Sequence, residues 1–203
     1  MPKRVDHQAR REQITEAVFR LIAAHGMEAI SLRDVAAEAG VSMGLVQHYF
    51  RSKDEMLHFA MDSLGQRVAR RFAARIARLP APRTVRTVLR TAMFEVIPMD
   101  EESRADACVS MAFFARALVE PGFAAVLREA YPSMLGAVSE QLRRAIGGGE
   151  LPPETDPEQE AINLYALTQG LLGPLLIGHY DPAAAAAAID HHLDRLFRTS
   201  STG

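Results

Sequence analysis

The sequence predicts an all-α protein of about nine helices. Apolar residues recur at the three- and four-residue spacing of an α-helix in segment after segment, and no segment is interpreted as a strand. Glycines, prolines and capping residues separate these segments. With 203 residues and 48% hydrophobic content, the chain can bury a substantial core. Helices are expected at about residues 10–25, 32–39, 43–49, 53–79, 82–97, 101–119, 122–146, 157–180 and 182–198.

The second and third helices predict a helix-turn-helix, because they are short and flank a tight turn at Gly40. Ala36 is the small residue expected where the two helices approach most closely. The apolar positions expected to lock the pair together are Val35, Ala39, Val41, Val46 and Tyr49. Another set is then left pointing outward, namely Met43, Gly44, Leu45, Gln47 and His48. We interpret the third helix as a recognition helix for the DNA major groove. The alternative is a plain helical hairpin whose glycine is only a cap.

The residue types around this helix suit DNA. Gln47 can form two hydrogen bonds with an adenine edge, and Leu45 or Met43 can pack on a thymine methyl group. Phosphate contacts are expected from Ser42, Tyr49, Arg33 and Lys53, and from an arm containing Lys3, Arg4, Arg10 and Arg11. The charge distribution agrees weakly. Residues 1–53 carry eight Lys and Arg against six Asp and Glu, a net charge of +2. Residues 54–203 carry 15 Lys and Arg against 19 Asp and Glu, a net charge of −4.

The segment at roughly 10–57, "REQITEAVFRLIAAHGMEAISLRDVAAEAGVSMGLVQHYFRSKDEML", resembles the N-terminal DNA-binding domain of TetR-type transcriptional regulators. Its specific parts are "AGVS", "HYF" and "SKDEML". The resemblance implies an all-helical homodimer with a helix-turn-helix at one end and a ligand-binding, dimerising bundle at the other. It implies DNA contacts at Ser42, Gly44, Leu45, Gln47, His48, Tyr49 and Lys53. Gln47 and Leu45 replace a frequent tyrosine and a frequent threonine, which leaves the operator sequence open.

The resemblance implies that the chain is divided into a DNA-binding domain at residues 1–53 and a ligand-binding and dimerisation domain at residues 54–203. Within the second, "MAFFARALVEPGFAAVLREAYPSMLGAVSEQL" and "NLYALTQGLLGPLL" are similar to the BetI-like branch, whose best-known member responds to choline. Choline is not carried over, because a quaternary ammonium needs several convergent aromatic rings. This chain has no tryptophan, and Phe114 stands where that branch often has one.

Large apolar and hydrogen-bonding side chains in the bundle are candidates for an effector pocket because of their number, although the core interpretation is favoured for each one individually. They are Met93, Phe94, Ile97, Met111, Phe113, Phe114, Tyr131, Gln169, Leu172 and Leu176. The segment from Arg67 to Arg90 is also unusual, because all its charged residues are arginines. It predicts either a solvated face paired with acidic residues or a site for an anionic effector. The acidic residues in question are Glu95, Asp100, Glu101, Glu102 and Asp106.

A homodimer through the last two helices is expected. Gly170 and Gly173 permit close helix packing, and the alanine-rich final helix carries a seam for a second copy. The seam consists of Ile189, Leu193 and Leu196. Two copies would make a four-helix interface, as the resemblance implies, and would read a near-palindrome.

Other classes of protein are disfavoured. No HExxH, phosphate-binding glycine loop or GxSxG motif occurs, so neither an enzyme nor a metal or cofactor site is expected. Cys108 is the single cysteine, and neither a signal peptide nor a membrane-length apolar run is found, so a cytoplasmic protein is expected. The sequence therefore predicts a ligand-responsive transcriptional regulator, with repression inferred from the family. The alternative is a DNA-binding regulator without a small-molecule effector.

Overall fold

The computed structural model describes residues 2–197, apart from the side chains of residues 2–6 and 102. Over this range the chain forms nine helices and no strand, which confirms the all-α prediction. The helices are α1 (Pro2–His25), α2 (Leu32–Glu38), α3 (Met43–Tyr49), α4 (Lys53–Arg78), α5 (Val85–Val96), α6 (Glu101–Val119), α7 (Pro121–Gly147), α8 (Pro157–Leu176) and α9 (Pro182–Leu196).

Three helix boundaries differ from the expected ones by three residues or more, and the others agree within two residues. The expected N-terminal arm is part of α1, which begins at Pro2; the side chains of Lys3 and Arg4 lie outside the described residues. Helix α5 begins at Val85, because the Thr84 hydroxyl caps it by accepting from the Thr87 N–H. Helix α8 ends at Leu176 rather than near 180, because Gly178 adopts a left-handed φ of 75° and its N–H donates to the Leu175 carbonyl at 3.1 Å.

The first of two compact units comprises residues 1–69 and 108–124. Its core joins α1, α2, α3 and the first half of α4 to residues from the end of α6 and the start of α7. The core residues with the largest fully buried side chains are Ile14, Val18, Val35, Phe50, Met56, Leu57 and Phe123. The predicted boundary at 53/54 separates the residues expected to contact DNA from those expected to contact a ligand, and it stays a prediction.

Local hydrogen bonds fix the helix-turn-helix within this unit. Ser31 and Asp34 form the predicted capping box, since the Ser31 hydroxyl accepts from the Asp34 N–H and the Asp34 carboxylate accepts from the Ser31 N–H. Hydrogen bonds donated to this carboxylate by the Ser31 hydroxyl and by the Ser31 N–H lower the pKa of Asp34. Gly40 has a φ of 66°, a conformation that side-chain-bearing residues rarely adopt, so the turn needs glycine. The Gln13 amide donates to the Ala39 carbonyl at 2.9 Å and ties α1 to the end of α2.

The second unit comprises residues 70–107 and 125–203, of which the structure describes those up to 197. Its core is built from α5, α7, α8 and α9. Ile189 and Leu193 of α9 are completely buried in this core, which also contains Val85 and Leu89 of α5. The prediction of a seam with a second copy at Ile189, Leu193 and Leu196 is therefore wrong for Ile189 and Leu193. The protomer's own helices cover this stripe, and Leu196 packs partly buried against the same core.

No single helix in the described part of the chain is long and apolar enough to cross a membrane. One bent pair of helices, at 103–119 and 121–147, meets the length and composition criteria only in combination.

Candidate nucleic-acid interface

Helix α3 is short, and its neighbours in the first unit hold it in place. The Ser42 hydroxyl accepts from the Leu45 N–H at 3.1 Å and caps the start of the helix. Val46 on its inner face is completely buried, as is Phe50, which caps its end. A helix of two turns is marginal alone, so this packing supplies most of its stability.

The outer face of α3 carries the residues that the sequence predicts there. Met43 is 44% exposed, and Gly44, Gln47 and His48 are also exposed. Leu45 is half-buried and so presents less of its side chain than expected. These positions agree with the predicted recognition helix, whereas their contact with DNA stays a prediction.

Gly44 is a position where the protein itself does not require glycine. A Cβ built there would meet only the Ser42 hydroxyl, at 4.0 Å, which is ordinary contact. Glycine inside a helix costs about 1 kcal/mol relative to alanine. The absence of a side chain on this exposed turn leaves room for close approach by another molecule, as a helix entering a groove needs.

The expected phosphate-binding residues lie on α2, at both ends of α3 and at the start of α4. Arg33 is exposed on α2, and Lys53 is half-buried at the first position of α4. Tyr49 is half-buried at the end of α3, and its ring lies edge-on to the ring of His48 at a centroid distance of 5.2 Å. Polar and cationic groups are thus present on all three elements, and their contacts with phosphate stay a prediction.

The ligand candidates are divided between the two units. Met111, Phe113 and Phe114 belong to the first unit, where Phe113 is buried in the core and its ring lies 6.2 Å from that of Phe123. Phe114 is 43% exposed. The location of Phe113 favours the core interpretation for that residue.

The remaining ligand candidates belong to the second unit. Met93, Ile97 and Leu172 are buried there, and the half-buried or exposed ones are Phe94, Tyr131, Leu176 and Gln169. Tyr131 is paired with Tyr165, a residue that the sequence analysis missed, at a ring-centroid distance of 5.4 Å. Burial raises the pKa of the Tyr165 phenol, and a hydrogen bond with Tyr131 raises it further, whereas a hydrogen bond with Gln169 lowers it. The four-residue spacing of Tyr165 and Gln169 on α8 is the signal that could have identified this cluster.

Two arginines of the arginine-rich segment, Arg71 and Arg75, form ion pairs within the second unit. Arg71 donates to both Glu95 and Asp106, and the Arg75 Nε lies 3.0 Å from Glu95 Oε2. Both carboxylates are buried, with Glu95 only 4% exposed. Burial of Arg71 opposes its charge, but the hydrogen bonds that Arg71 donates to the two carboxylates, together with their negative charges, outweigh burial and raise its pKa. The ion-pair interpretation is therefore confirmed for Arg71 and Arg75.

Two further arginines have partners on α9 that the sequence analysis did not foresee. Arg86 lies 2.5 Å from Asp194, and the Arg90 Nε donates to Asp190 at 2.6 Å. The expected partner Asp100 instead accepts from the Ser103 N–H at 2.7 Å near the start of α6. Sequence separations of about 100 residues explain why these pairs could not be anticipated.

Comparison with known proteins matches a family model to the N-terminal part of the chain and another to its C-terminal part. Residues 14–59 match the family model of bacterial regulatory proteins of the tetR family, and residues 85–198 match that of the C-terminal region of BetI-type transcriptional repressors. The chain is 34% identical over 177 residues to the HTH-type transcriptional regulator PksA of Bacillus subtilis (strain 168), covering 84% of this chain and 80% of that protein.

Solved structures share the fold. A transcriptional regulator from Rhodococcus sp. Rha1 superimposes with a TM-score of 0.76 at 31% identity, covering 92% of this chain and 95% of that one. A transcriptional regulator from Saccharomonospora viridis, solved in complex with choline, gives a TM-score of 0.78 at 22% identity, covering 93% and 95%. The chain therefore belongs to the TetR family, as a DNA-binding transcriptional regulator with a BetI-type C-terminal region and not as an enzyme.

Proposed function

We propose that this regulator reads a near-palindromic operator as a homodimer, represses transcription and is released by a small-molecule effector. The observation that supports base recognition by α3 is that one face of this helix is buried and the other is exposed. Val46 is completely buried on one face, while Met43, Gly44, Gln47 and His48 are exposed on the other. The proposed DNA contacts are Arg33, Ser42, Met43, Gly44, Leu45, Gln47, His48, Tyr49 and Lys53.

Each contact has a chemical role in this proposal. Gln47 reads an adenine edge through two hydrogen bonds, and Met43 packs on a thymine methyl group. Leu45, being half-buried, adds a smaller apolar contact. Phosphate contacts from the other side chains set the position of the helix but carry no sequence information.

The homodimer is proposed to use α8 and α9, but not the seam predicted from the sequence. Ile162 is 48% exposed on α8, and Ala166 and Gly170 are exposed four and eight positions later on the same face. Exposed small residues also occur on α9, at Ala183, Ala184 and Ala187. Small residues on both helices favour close packing against a second copy. We place the protein in the cytoplasm, where bacterial DNA lies.

The proposed effector is bound in the second unit by the hydrogen-bonding cluster of Tyr131, Tyr165 and Gln169. We do not expect choline to be the effector, although it is bound in the neighbour from Saccharomonospora viridis. A quaternary ammonium requires several convergent aromatic faces, and the cluster provides one tilted tyrosine pair. The alternative function, a regulator without an effector, is favoured by the burial of Met93, Ile97 and Leu172 in the core.

The reading role is tested by selecting bound duplexes from a random DNA pool at two salt concentrations. Full-length wild type, Gln47→Ala and the matched control Gln66→Ala are compared; Gln66 is exposed on α4 and donates to Asp62. Wild type and the control should enrich the same palindrome, while Gln47→Ala loses preference at particular base pairs. Absence of any enriched sequence would contradict the proposal, and identical enrichment by all three would exclude base reading by Gln47.

The effector role is tested with the selected operator. Compounds are screened for release of wild-type protein from DNA, with choline included, and any active compound is then measured on Tyr165→Phe. Because this change removes one hydroxyl, it should raise the concentration of compound required by about tenfold. If no compound releases the wild-type protein from DNA, the alternative function, a regulator that has no small-molecule effector, is favoured.

A further inference from the structure

The N-terminal turns of α1 lie beside the recognition helix within the first unit. The rings of His7 on α1 and Tyr49 on α3 meet nearly edge to face, with centroids 4.6 Å apart and an interplanar angle of 63°. His48 contacts the same tyrosine ring at 5.2 Å and 80°. Both imidazoles are exposed. Two histidines from different helices therefore share one tyrosine at the edge of the proposed DNA-binding surface.

The position of His7 is fixed by the packing of α1. The Gln13 amide donates to the Ala39 carbonyl at 2.9 Å, and Arg20 forms an ion pair with Glu38 at 2.5 Å, so α1 is tied to the end of α2 at two levels. Six residues of continuous helix separate His7 from Gln13, about 9 Å along the axis. The helix thus holds His7 next to α3.

The same side of α1 carries positive charge. Arg10 and Arg11 follow His7 by three and four residues, the spacings that share a helix face. Arg10 is exposed and donates to the Gln13 side chain at 2.8 Å. The Arg11 guanidinium lies over the Phe59 ring at 4.0 Å. Among the described side chains, the charged or titratable groups placed near His7 by ring contact or helical spacing are Arg10 and Arg11 on its own helix, and Tyr49 and His48 on α3.

We propose that His7 contacts a DNA backbone phosphate beside Tyr49 and takes up a proton when the protein binds DNA. The proposal rests on the proposed orientation of α3, in which Tyr49 faces the backbone. Imidazole changes charge near neutral pH, and a facing phosphate favours its protonated form. The contact is then a charge-assisted hydrogen bond. It adds His7, on the first turns of α1, to the proposed contacts on α2, on α3 and at the start of α4.

The test compares full-length wild type, His7→Gln and His25→Gln on the selected operator and on a shuffled duplex. Glutamine keeps hydrogen-bonding capacity but cannot take up the proton. His25 is the matched control because it is an exposed histidine at the other end of the same helix. At about pH 6, His7→Gln should bind both duplexes about threefold to tenfold more weakly than wild type, and at about pH 8 the difference should nearly vanish.

The dependence of affinity on salt provides a second readout. At about pH 6 the slope of log affinity against log salt should be smaller by about 1.8 for His7→Gln, because the bound homodimer loses one charged phosphate contact in each of its two subunits. His25→Gln should match wild type under every condition.

His48→Gln identifies which ring carries the proton. If the pH dependence disappears in His48→Gln but persists in His7→Gln, the proposal is overturned. Equal affinity of His7→Gln and wild type at both pH values would overturn it as well. In either case the base preference of Gln47→Ala still tests DNA recognition by α3 separately. A wrong proposal for His7 is therefore distinguishable from a wrong proposed function.

Discussion

Helices α3 and α9 have related sequence patterns but use their apolar residues differently. Each begins after a capping side chain and carries apolar residues on one face. In α3, Val46 is buried and Gln47 is exposed, as predicted. In α9, Ile189 and Leu193 are predicted to meet a second subunit, whereas the structure buries them in the core of their own unit. An amphipathic pattern therefore identifies which face is buried without identifying what covers it.

The largest expected effect concerns the buried stripe of α9. Leu193→Ala should lower the free energy of unfolding by about 2–5 kcal/mol, because it leaves a cavity in a packed core. Urea denaturation measures the loss. His191→Ala, on the exposed side of the same helix, serves as the control and should change the free energy by less than about 0.5 kcal/mol. Equal losses for the two variants would contradict the burial of Leu193.

The exposed face of α9 should instead control dimer formation. Ala187→Glu places a charge on the proposed close-packed interface and should weaken dimerisation by at least about tenfold. Sedimentation equilibrium measures this change, and circular dichroism checks that helix content is retained. Ala187→Ser adds only a small polar group and serves as the comparison. A glutamate variant that dimerises as tightly as wild type would place the interface elsewhere.

The caps of the two helices should have similar effects on stability but different effects on DNA binding. Ser42→Ala and Asp181→Ala each remove a side-chain acceptor from a helix start and should each cost about 1 kcal/mol of unfolding free energy. Only Ser42→Ala should also weaken operator binding, since only α3 is proposed to face DNA. Equal operator affinity for both variants would remove Ser42 from the proposed phosphate contacts.

The smallest expected effect is the pH dependence of an α9 ion pair. The hydrogen bond from Arg90 lowers the pKa of Asp190, so the stabilisation is complete above about pH 4 and is lost as the pH falls through the lower pKa of the folded state. At about pH 7, Asp190→Asn should cost about 0.5 kcal/mol, because the pair is partly exposed. The difference from wild type, measured in urea, should disappear at low pH. A difference independent of pH would exclude this pair as its source.

The first unit could be predicted well because local signals agree there. The Gly40 turn, the Ser42 cap and the buried Val46 together determine which side of α3 faces outward. Two local details escaped prediction. Helix α1 begins at Pro2, whereas its predicted start is at about residue 10, and Leu45 is half-buried.

The candidate ligand site could not be predicted to the same degree, because it depends on contacts between distant parts of the chain. Phe113 is apolar and helical, which suits a pocket and a core equally, and its place in the core of the first unit appears only in the structure. Tyr165 becomes a ligand candidate only because its ring pairs with that of Tyr131 on another helix. Arg90 and Asp190 are likewise joined only by packing of α5 and α9.

The central claim, that α3 reads DNA through Gln47, is tested most directly by measuring affinity across single base-pair substitutions in the selected operator. Wild type and Gln66→Ala should lose about 1–3 kcal/mol of binding free energy when the base pair opposite Gln47 is changed in a half-site. Gln47→Ala should bind all variants at that position equally while keeping wild-type preferences elsewhere. If Gln47→Ala discriminates at every position as wild type does, Gln47 does not read a base and the account of α3 is contradicted.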